Sequence, residues 1–275
     1  MKMLVIDYYC APRDLAQMDM YVALYEQYEV IFANSENFAD LVKAQDFDYL
    51  YLGIYHPWCG KFDWNNLLKI NKKPIIIDQA DNEGFIGRRD TKFEYGDNCI
   101  LLSRYLPNDD LRNFWKGKLC LLPWYINPER FIPQEKTIDV AFVCSMNVNN
   151  RIDREKLGER ILKYCQDNNL SYKIGEYWGQ DYKNIITSSK SMVVDGSRYC
   201  LTQKYIECAL SNCLIIGERP IYPPNEFITV NLESVNSNNI DDFHFEVLSN
   251  NMYALDNYAN KEKFLDNFKV ILEFK

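Results

Sequence analysis

Glycine is scarce in this sequence, which holds 11 glycines among its 275 residues. It contains neither a Gly-x-Gly-x-x-Gly motif nor a Walker-type Gly-Lys-Ser/Thr. Both motifs let backbone amides approach the phosphates of a bound nucleotide closely. Their absence argues against a nicotinamide dehydrogenase and against a P-loop kinase.

Residues that commonly bind transition metals are also few or scattered. There are two histidines, His56 and His244, and nine cysteines without a Cys-x-x-Cys pair. A metal site built from imidazole or thiolate is therefore not expected. A chain of this length does not need disulfides for stability, so we expect reduced, mostly buried cysteines in a cytoplasmic protein.

Long apolar runs are missing as well. No stretch of about 18 apolar residues occurs, which argues against a membrane span. The first residues carry one lysine and a short apolar run that meets Asp7, far short of the apolar core of a signal peptide.

The sequence also lacks an excess of basic residues. The chain has 39 acidic and 31 basic residues, a formal charge of −8. Nucleic acid is therefore a disfavoured partner, because binding to a phosphate backbone usually needs a basic surface. A local basic pocket for one nucleotide phosphate group remains compatible with this charge.

Apolar and aromatic residues are plentiful, at 47% and 15% of the chain, which is enough for packed cores. Apolar runs of strand length alternate with helix-like stretches, a pattern typical of α/β folds with parallel sheets. The predicted strands of a first series are residues 3–6, 30–32, 47–54, 73–78, 99–103 and 120–123. Those of a second series are residues 138–145, 172–175, 191–194, 213–217 and a last one near 227–230.

Residues 127–133 contain two prolines and separate the two series, as expected of a crossover between domains. We predict an N-terminal domain over residues 1–121 and a C-terminal domain over residues 122–257. Folds of this kind bind ligands at the carboxyl ends of the strands, and in a two-domain version in the cleft between domains. A terminal helical stretch over residues 253–275 is predicted from apolar side chains at helical intervals, namely Tyr258, Phe264, Leu265, Phe268 and Leu272.

The second series contains segments with a recognisable order. Residues 182–190, Arg198 and residues 201–215 resemble the C-terminal domain of the CgeB-like (spore maturation protein) glycosyltransferases of the group 1 GT-B class. Residues 127–131 and 140–145, with Arg151, look like that family's inter-domain link and first C-terminal strand. The resemblance covers about residues 121–220.

The resemblance implies a GT-B fold, in which two Rossmann-like domains with parallel sheets face a central cleft. It implies sugar transfer from a nucleotide-diphosphate-sugar, UDP- or GDP-linked, to a hydroxyl acceptor that the sequence does not identify. It also implies no metal and no cofactor besides the donor, and a last helix, residues 258–275, that crosses back to the N-terminal domain.

Two departures from the resemblance keep alternatives open. Retaining enzymes of the wider group carry Glu-x7-Glu, but the residue eight before Glu207 is Tyr199, which leaves retention of sugar configuration undecided. This departure favours the alternative of a non-catalytic nucleotide-sugar-binding module. Asn212 stands where a glycine is usual, and asparagine tolerates the left-handed conformation.

Other enzymes share part of the pattern. Thr202-Gln203-Lys204 is similar to the start of the donor-site helix of α-1,3-fucosyltransferases, which would imply a GDP-sugar donor. A nucleotide-sugar epimerase shares the GT-B fold, but it would need additional acid and base groups.

Candidate donor-binding residues lie in the second series. Glu207, on a helix at the carboxyl edge of the sheet, can accept hydrogen bonds from both ribose hydroxyls, or it is an exposed helix residue. Thr202 and Ser197 precede this helix, where free amides suit a diphosphate, and an N-capping role is compatible with that. Ser145 ends the first C-terminal strand and completes this group.

Positive charge for the leaving diphosphate is available without a metal. Arg151 and Arg154 flank the first C-terminal loop, and Lys190 and Lys204 are further candidates; each is alternatively a solvated surface residue. Trp178 is a candidate for stacking on the base, and a core tryptophan is its alternative.

Candidate catalytic residues follow the strands of the first series. His56, Asp78 and Asp81 are predicted just beyond strand ends, where imidazole or carboxylate can remove the proton of an acceptor hydroxyl. His56 is alternatively a loop residue held by the backbone. The Asp78-x-x-Asp81 pair is alternatively a metal-binding pair or a helix cap.

Overall fold

The structure is a computed structural model of the chain. It describes residues 1–6, 15–33, 37–52, 71–79, 99–103, 118–144, 154–195, 203–220 and 227–273. The chain forms two compact units, the first from Met1–Tyr125 together with Lys261–Lys275 and the second from Ile126–Asn260. None of the helices among these described residues is both long enough and apolar enough to span a bilayer.

The first unit is built on a parallel sheet of six strands in the order β2-β1-β3-β4-β5-β6. Its strands are β1 (Lys2–Ile6), β2 (Glu29–Ala33), β3 (Tyr49–Leu52), β4 (Ile75–Gln79), β5 (Cys99–Ser103) and β6 (Lys118–Leu121). Ile75, Ile76 and Ile77 are buried in succession. Consecutive burial is expected of a parallel strand covered on both faces.

Helices α1 (Leu15–Gln27) and α2 (Phe38–Ala44) follow β1 and β2. An apolar core on one side of the sheet joins α2 to strands β1, β3, β4 and β5 through Leu4, Val42, Leu50, Ile75 and Leu101. These side chains fix the sheet that carries the N-terminal candidate residue described below.

The second unit has a parallel sheet of four strands in the order β10-β9-β7-β8. Its strands are β7 (Ile138–Val143), β8 (Tyr172–Gly175), β9 (Ser189–Val194) and β10 (Leu214–Gly217). Its helices are α3 (Arg154–Asp167), α4 (Gly179–Ser188), α5 (Gln203–Leu210) and α6 (His244–Asn257), and a 3₁₀ turn covers Pro128–Phe131.

The order in which the chain adds strands to this sheet reverses between β8 and β9. The chain moves from β7 to β8 on one side, then crosses back to β9 and β10 on the other side. Because such crossovers are right-handed, α3 lies on one face and α4 and α5 on the opposite face. Ligands of open parallel sheets bind where the order reverses, here at the carboxyl ends of β7 and β9.

Two backbone positions end elements beside this edge. Gly217 closes β10 with φ of 135°, and a Cβ there would come within 2.4 Å of the Val194 carbonyl oxygen, so only glycine fits. Asn212 follows α5 with φ of 52°, the left-handed conformation that the sequence predicts.

The C-terminal segment is divided differently from the sequence prediction. The predicted strand near residues 227–230 is a single parallel bridge between Ile216 and Val230. The predicted helix over residues 253–275 is interrupted, because α6 ends at Asn257 and a separate helix, α7 (Lys261–Glu273), begins after it.

Helix α7 belongs to the first unit. The Tyr49 hydroxyl donates a hydrogen bond to the Leu272 carbonyl oxygen at 2.8 Å, and Phe268 packs beside Tyr28 and Tyr51. Lys261 forms an ion pair with Glu26 of α1 at 2.5 Å. The helix is therefore held to the sheet and to α1 by both apolar and polar contacts.

Candidate functional site

An ion pair lies at the carboxyl end of β9, in the region where the C-terminal sheet reverses direction. Asp195 directly follows β9, and its Oδ2 accepts a hydrogen bond from Arg154 Nε at 2.6 Å. Arg154 is the first residue of α3, which leaves the carboxyl end of β7. Both side chains are largely withdrawn from solvent, so the pair is held in place at this edge.

A lysine completes this group. Lys204 lies in the first turn of α5, and its Nζ donates a hydrogen bond to the Val143 carbonyl oxygen at 2.6 Å. Val143 is the last residue of β7. The ammonium group is thereby held at the same end of the sheet as the Arg154–Asp195 pair.

The buried thiol of Cys144, which follows β7, is surrounded by these charges. Burial is the main cause that raises the pKa of Cys144. The nearby positive charges of Lys204 and Arg154 lower this pKa. The negative charges of Asp195 and Glu176 raise it again, and the net direction is upward. The thiol is thus kept protonated in a setting where charges of both signs converge.

Glu207 is buried on α5, one turn beyond Lys204. Its Oε2 accepts a hydrogen bond from the hydroxyl of Tyr182, in the first turn of α4. A carboxylate held this way has an orientation set by a neighbouring helix. Its expected alternative, an exposed helix glutamate, is excluded by its burial.

Trp178 is 65% exposed and lies at the N-cap position of α4, three residues after β8 ends. The core alternative for this tryptophan is therefore wrong. An exposed aromatic ring beside the carboxyl end of a strand is available for stacking.

Lys190 is not brought together with these residues. It is the second residue of β9, at the amino end of the sheet, opposite to the edge that carries Arg154 and Lys204. Its ammonium group pairs with Asp139 at 3.1 Å and with Asp241 at 3.0 Å. Burial alone would lower the pKa of Lys190, but hydrogen bonds to the two carboxylates outweigh it and raise that pKa. Lys190 is thus a structural cation.

Asp78 does not lie beyond a strand end, which corrects the expectation from the sequence. It lies inside β4, fully buried, and accepts a hydrogen bond from the Tyr51 hydroxyl of β3. Strand pairing aligns Tyr51 with Ile76, so Asp78 is two residues further along the same face. The apolar run that ends in Asp78 continues as strand, because the next residue still pairs with β5.

The remaining candidates lie outside the described residues: His56, Asp81, Ser145, Arg151, Ser197 and Thr202. Asp195 was not predicted. Its position directly after the apolar strand Ser191 to Val194 was the available signal, because carboxyl ends of parallel strands carry ligand-binding groups.

The site combines cationic groups, an oriented carboxylate and an exposed aromatic ring at one sheet edge. Helices α3, α4 and α5 also point their amino ends toward this edge, because each follows a parallel strand, and helix amino ends favour anions. The part of the chain that the structure describes contains no group of three or more His, Cys, Asp or Glu side chains that could hold a metal ion. The arrangement is suited to a ligand that carries an anionic group for the cations, hydroxyls for the carboxylate and a planar ring for the aromatic side chain.

Comparison with known proteins identifies the fold. The sequence matches no protein-family model, and it matches no curated protein. Solved structures do match over nearly the whole chain. HepE from Anabaena, in complex with UDP and glucose, has a TM-score of 0.65 at 8% identity, covering 99% of each chain.

Two further neighbours agree. Sucrose-phosphate synthase from Thermosynechococcus elongatus has a TM-score of 0.61 at 10% identity, over 99% of this chain and 98% of that one. A glycosyltransferase from Rickettsia africae has a TM-score of 0.56 at 12% identity, over 100% and 99%. The chain has the GT-B fold of glycosyltransferases, with two Rossmann-like units built on parallel sheets.

Proposed function

We propose that this chain is a glycosyltransferase that moves a sugar from a nucleotide-diphosphate-sugar to a hydroxyl acceptor. The observation that carries the proposal is the group formed by Arg154, Asp195 and Lys204 at the reversal of the C-terminal sheet, with Glu207 beside it. This is the position at which an open parallel sheet binds its ligand. HepE, which has the same fold, was solved with UDP and with UDP-glucose.

In this proposal the second unit binds the donor. Glu207 accepts hydrogen bonds from the ribose hydroxyls, and Trp178 stacks on the base. Arg154 and Lys204 contact the diphosphate. Four residues outside the described part of the chain complete the proposed site on sequence grounds: Ser145, Arg151, Ser197 and Thr202.

The proposed chemistry breaks the bond between the anomeric carbon and the diphosphate oxygen, and forms a bond from that carbon to the acceptor oxygen. Negative charge develops on the leaving diphosphate, where Arg154 and Lys204 stabilise it. The acceptor hydroxyl loses its proton, and since Asp78 is buried in the sheet, His56 and Asp81 are the proposed bases.

Because Arg154 and Lys204 supply positive charge at the leaving diphosphate, we propose that the reaction needs no metal ion. Transfer is expected to survive excess EDTA, because guanidinium and ammonium groups supply the charge. Complete loss of activity in EDTA with recovery on adding manganese would contradict this part of the proposal and direct attention to the Asp78-x-x-Asp81 segment.

A thermal-shift screen with UDP- and GDP-sugars tests the proposal directly, since a ligand that binds the folded state raises its melting temperature. A UDP-sugar response agrees with the CgeB-like resemblance, and a GDP-sugar response favours the fucosyltransferase-like alternative. The absence of a response to any nucleotide-sugar would overturn the proposal.

Charge-matched variants locate the site. Arg154→Met and Lys204→Met are expected to reduce the nucleotide-induced shift, whereas Lys190→Met, which removes the same charge from the opposite sheet edge, should preserve it. An Arg154→Met/Asp195→Asn double variant controls for the carboxylate that the single change leaves buried and unpaired. Equal losses from all three single variants would mean that global charge, not this site, controls binding.

A second candidate function is a nucleotide-sugar-binding module without catalysis. Tyr199, which stands where retaining relatives have the first glutamate of Glu-x7-Glu, favours it. Incubation of the binding nucleotide-sugar with a panel of hydroxyl acceptors separates the two candidates. Release of nucleoside diphosphate that depends on the acceptor identifies the enzyme, and binding without release identifies the module.

A further inference from the structure

One face of helix α6 is fixed to the second unit by polar, small and apolar residues; Val247 packs against the core of that unit, and the ring of Tyr253 meets Phe227 edge-on. The Asn250 side chain forms two hydrogen bonds with the backbone of Ile228, one accepted and one donated, each 2.8 Å long. Asn251 donates to the Ala209 carbonyl oxygen at 2.9 Å, and Ala254 is fully buried. These contacts determine which face of the helix points outward, so rotation of α6 cannot bury its other face.

The outward face of α6 is apolar. Four large residues are exposed along it, namely Phe245 at 72%, Leu248 at 61%, Met252 at 57% and Leu255 at 42%. Their spacing of three, four and three residues aligns them in one stripe about 15 Å long at 1.5 Å per residue. Single exposed apolar residues are ordinary, but a contiguous apolar patch on a polar protein marks a contact surface. We refer to these four residues as the α6 stripe.

Among Asp, Glu, Lys and Arg, only acidic residues lie near the α6 stripe in the sequence. No lysine or arginine occurs between Arg219 and Lys261, whereas six acidic residues do: Glu226, Glu233, Asp241, Asp242, Glu246 and Asp256. Asp242, just before α6, and Asp256, near its end, are exposed. This stretch of the chain therefore carries net negative charge next to the stripe, although Asp241 is paired with Lys190 of β9.

This charge discriminates among the possible occupants. Helices that lie on bilayers carry lysine and arginine on their polar face, which attract anionic headgroups, and α6 carries neither. A second copy of the chain would bring the same acidic residues against one another in a symmetric pair. A partner with a basic rim gains both apolar burial and charge complementarity.

We propose that the α6 stripe is a docking surface for a different protein, which contributes an apolar groove or amphipathic helix bordered by lysine or arginine. The spacing of the four anchors matches the way in which a helix lies in a partner's groove. Four anchors are far fewer than the 20–30 residues per side of a standard stable interface. The complex is accordingly transient, and added salt weakens it.

A pair of designed peptides tests this surface. The first is an amphipathic helix with leucine along one face and lysine at its borders. The second is identical except that glutamate replaces lysine. Fluorescence anisotropy of the labelled peptides with the intact chain is expected to show binding of the lysine peptide, weaker binding at higher salt, and little binding of the glutamate peptide.

Neutral substitutions then locate the contact without changing charge. Leu248→Gln/Met252→Gln should weaken binding of the lysine peptide about tenfold. The matched control, Ile132→Gln/Tyr172→Gln, alters two exposed apolar residues of the same unit away from α6 and should leave binding unchanged. Melting temperature verifies that both double variants fold.

Several results would overturn the proposal. Failure of the lysine peptide to bind, equal binding of both peptides, or equal loss in both double variants would each do so. Dimerisation of the chain alone that Leu248→Gln/Met252→Gln abolishes would identify a second copy as the occupant. Flotation with phosphatidylcholine vesicles that the same variant abolishes would identify lipid. None of these measurements depends on nucleotide binding, so they are independent of the proposed glycosyl transfer.

Discussion

Among the described residues, each unit contains a buried carboxylate that accepts a hydrogen bond from a tyrosine hydroxyl, but the two pairs lie in different surroundings. In the first unit Tyr51 of β3 donates to Asp78, which lies inside β4. In the second unit Tyr182 of α4 donates to Glu207 of α5. The chemistry is the same, and the position relative to the strand ends differs.

The Tyr51–Asp78 pair is part of the core. The ring of Tyr51 meets Tyr21 of α1 edge-on at 5.9 Å and Phe268 of α7 at 6.4 Å, measured between ring centroids. The two helices thus cover the face of the sheet from which both members of the pair project. A buried polar pair in this position stabilises the sheet and its helices.

The Tyr182–Glu207 pair is linked instead to a sheet edge. Both residues lie in the early turns of helices that follow parallel strands, and Lys204, one turn before Glu207, reaches the end of β7. We infer that a hydrogen bond of the same type stabilises the fold in the first unit and, in the proposed donor site of the second unit, orients a ligand-binding group. Four substitutions can break or sharpen this distinction.

Phe268→Ala is expected to have the largest effect. The side chain is fully buried beside Tyr28, Tyr51 and Phe264. Truncation of a buried phenylalanine costs about 3–5 kcal/mol in the free energy of unfolding. Hydrogen exchange should show the loss in amides of β1 and β3 with β7 and β9 unaffected. Val270→Ala, an exposed position on the same helix, is the control and should change stability by about 0.5 kcal/mol or less.

Asp78→Ala comes second. It leaves the buried Tyr51 hydroxyl without this acceptor, which should cost about 1–3 kcal/mol in the stability of the first unit. Removing both groups in Tyr51→Phe/Asp78→Ala should cost less than the sum of the single changes. Denaturant unfolding of the four proteins gives the coupling. If Asp78→Ala kept full stability and abolished sugar transfer, Asp78 would return as a catalytic base.

The bounds of the strands could be predicted from the sequence, whereas contacts between residues far apart in the sequence could not. β5 is a continuous buried apolar run and has the predicted bounds, as does the more exposed edge strand β8. The other strands agree with the predicted bounds within two residues at each end. The Arg154–Asp195 pair joins residues 41 positions apart through the adjacency of β7 and β9, an order that no local pattern encodes.

Other sequence-based expectations failed for local reasons. Lys190 directly precedes the predicted strand 191–194, so those bounds already implied the amino end of the sheet, which the structure places opposite to the donor-site edge. Helices α2 and α6 were not predicted as such. In α6 the exposed apolar stripe and buried Asn250 reverse the usual amphipathic pattern.

Glu207→Ala is the third prediction, and it concerns binding. Loss of hydrogen bonds from ribose hydroxyls to a carboxylate should cost about 1.5–3 kcal/mol. The readout is the ratio of dissociation constants for UDP and 2′-deoxy-UDP, or for the guanine pair if GDP-sugars bind. Wild type should prefer the ribonucleotide, and the variant should lose most of that preference. Because a ratio is insensitive to general destabilisation, an unchanged preference would remove Glu207 from the site.

Tyr182→Phe should have the smallest effect and is the most direct test of the comparison. It deletes one hydrogen bond to Glu207 while keeping the ring, so about 0.5–1.5 kcal/mol of nucleotide affinity should be lost. The carboxylate remains present but less restrained, so the preference for ribose should fall only part of the way to that of Glu207→Ala. Tyr172→Phe, an exposed tyrosine at the amino end of β8, is the matched control. If Tyr182→Phe lowered the melting temperature and left the ribose preference intact, this pair would be structural like Tyr51–Asp78. The distinction between the two units would then be wrong.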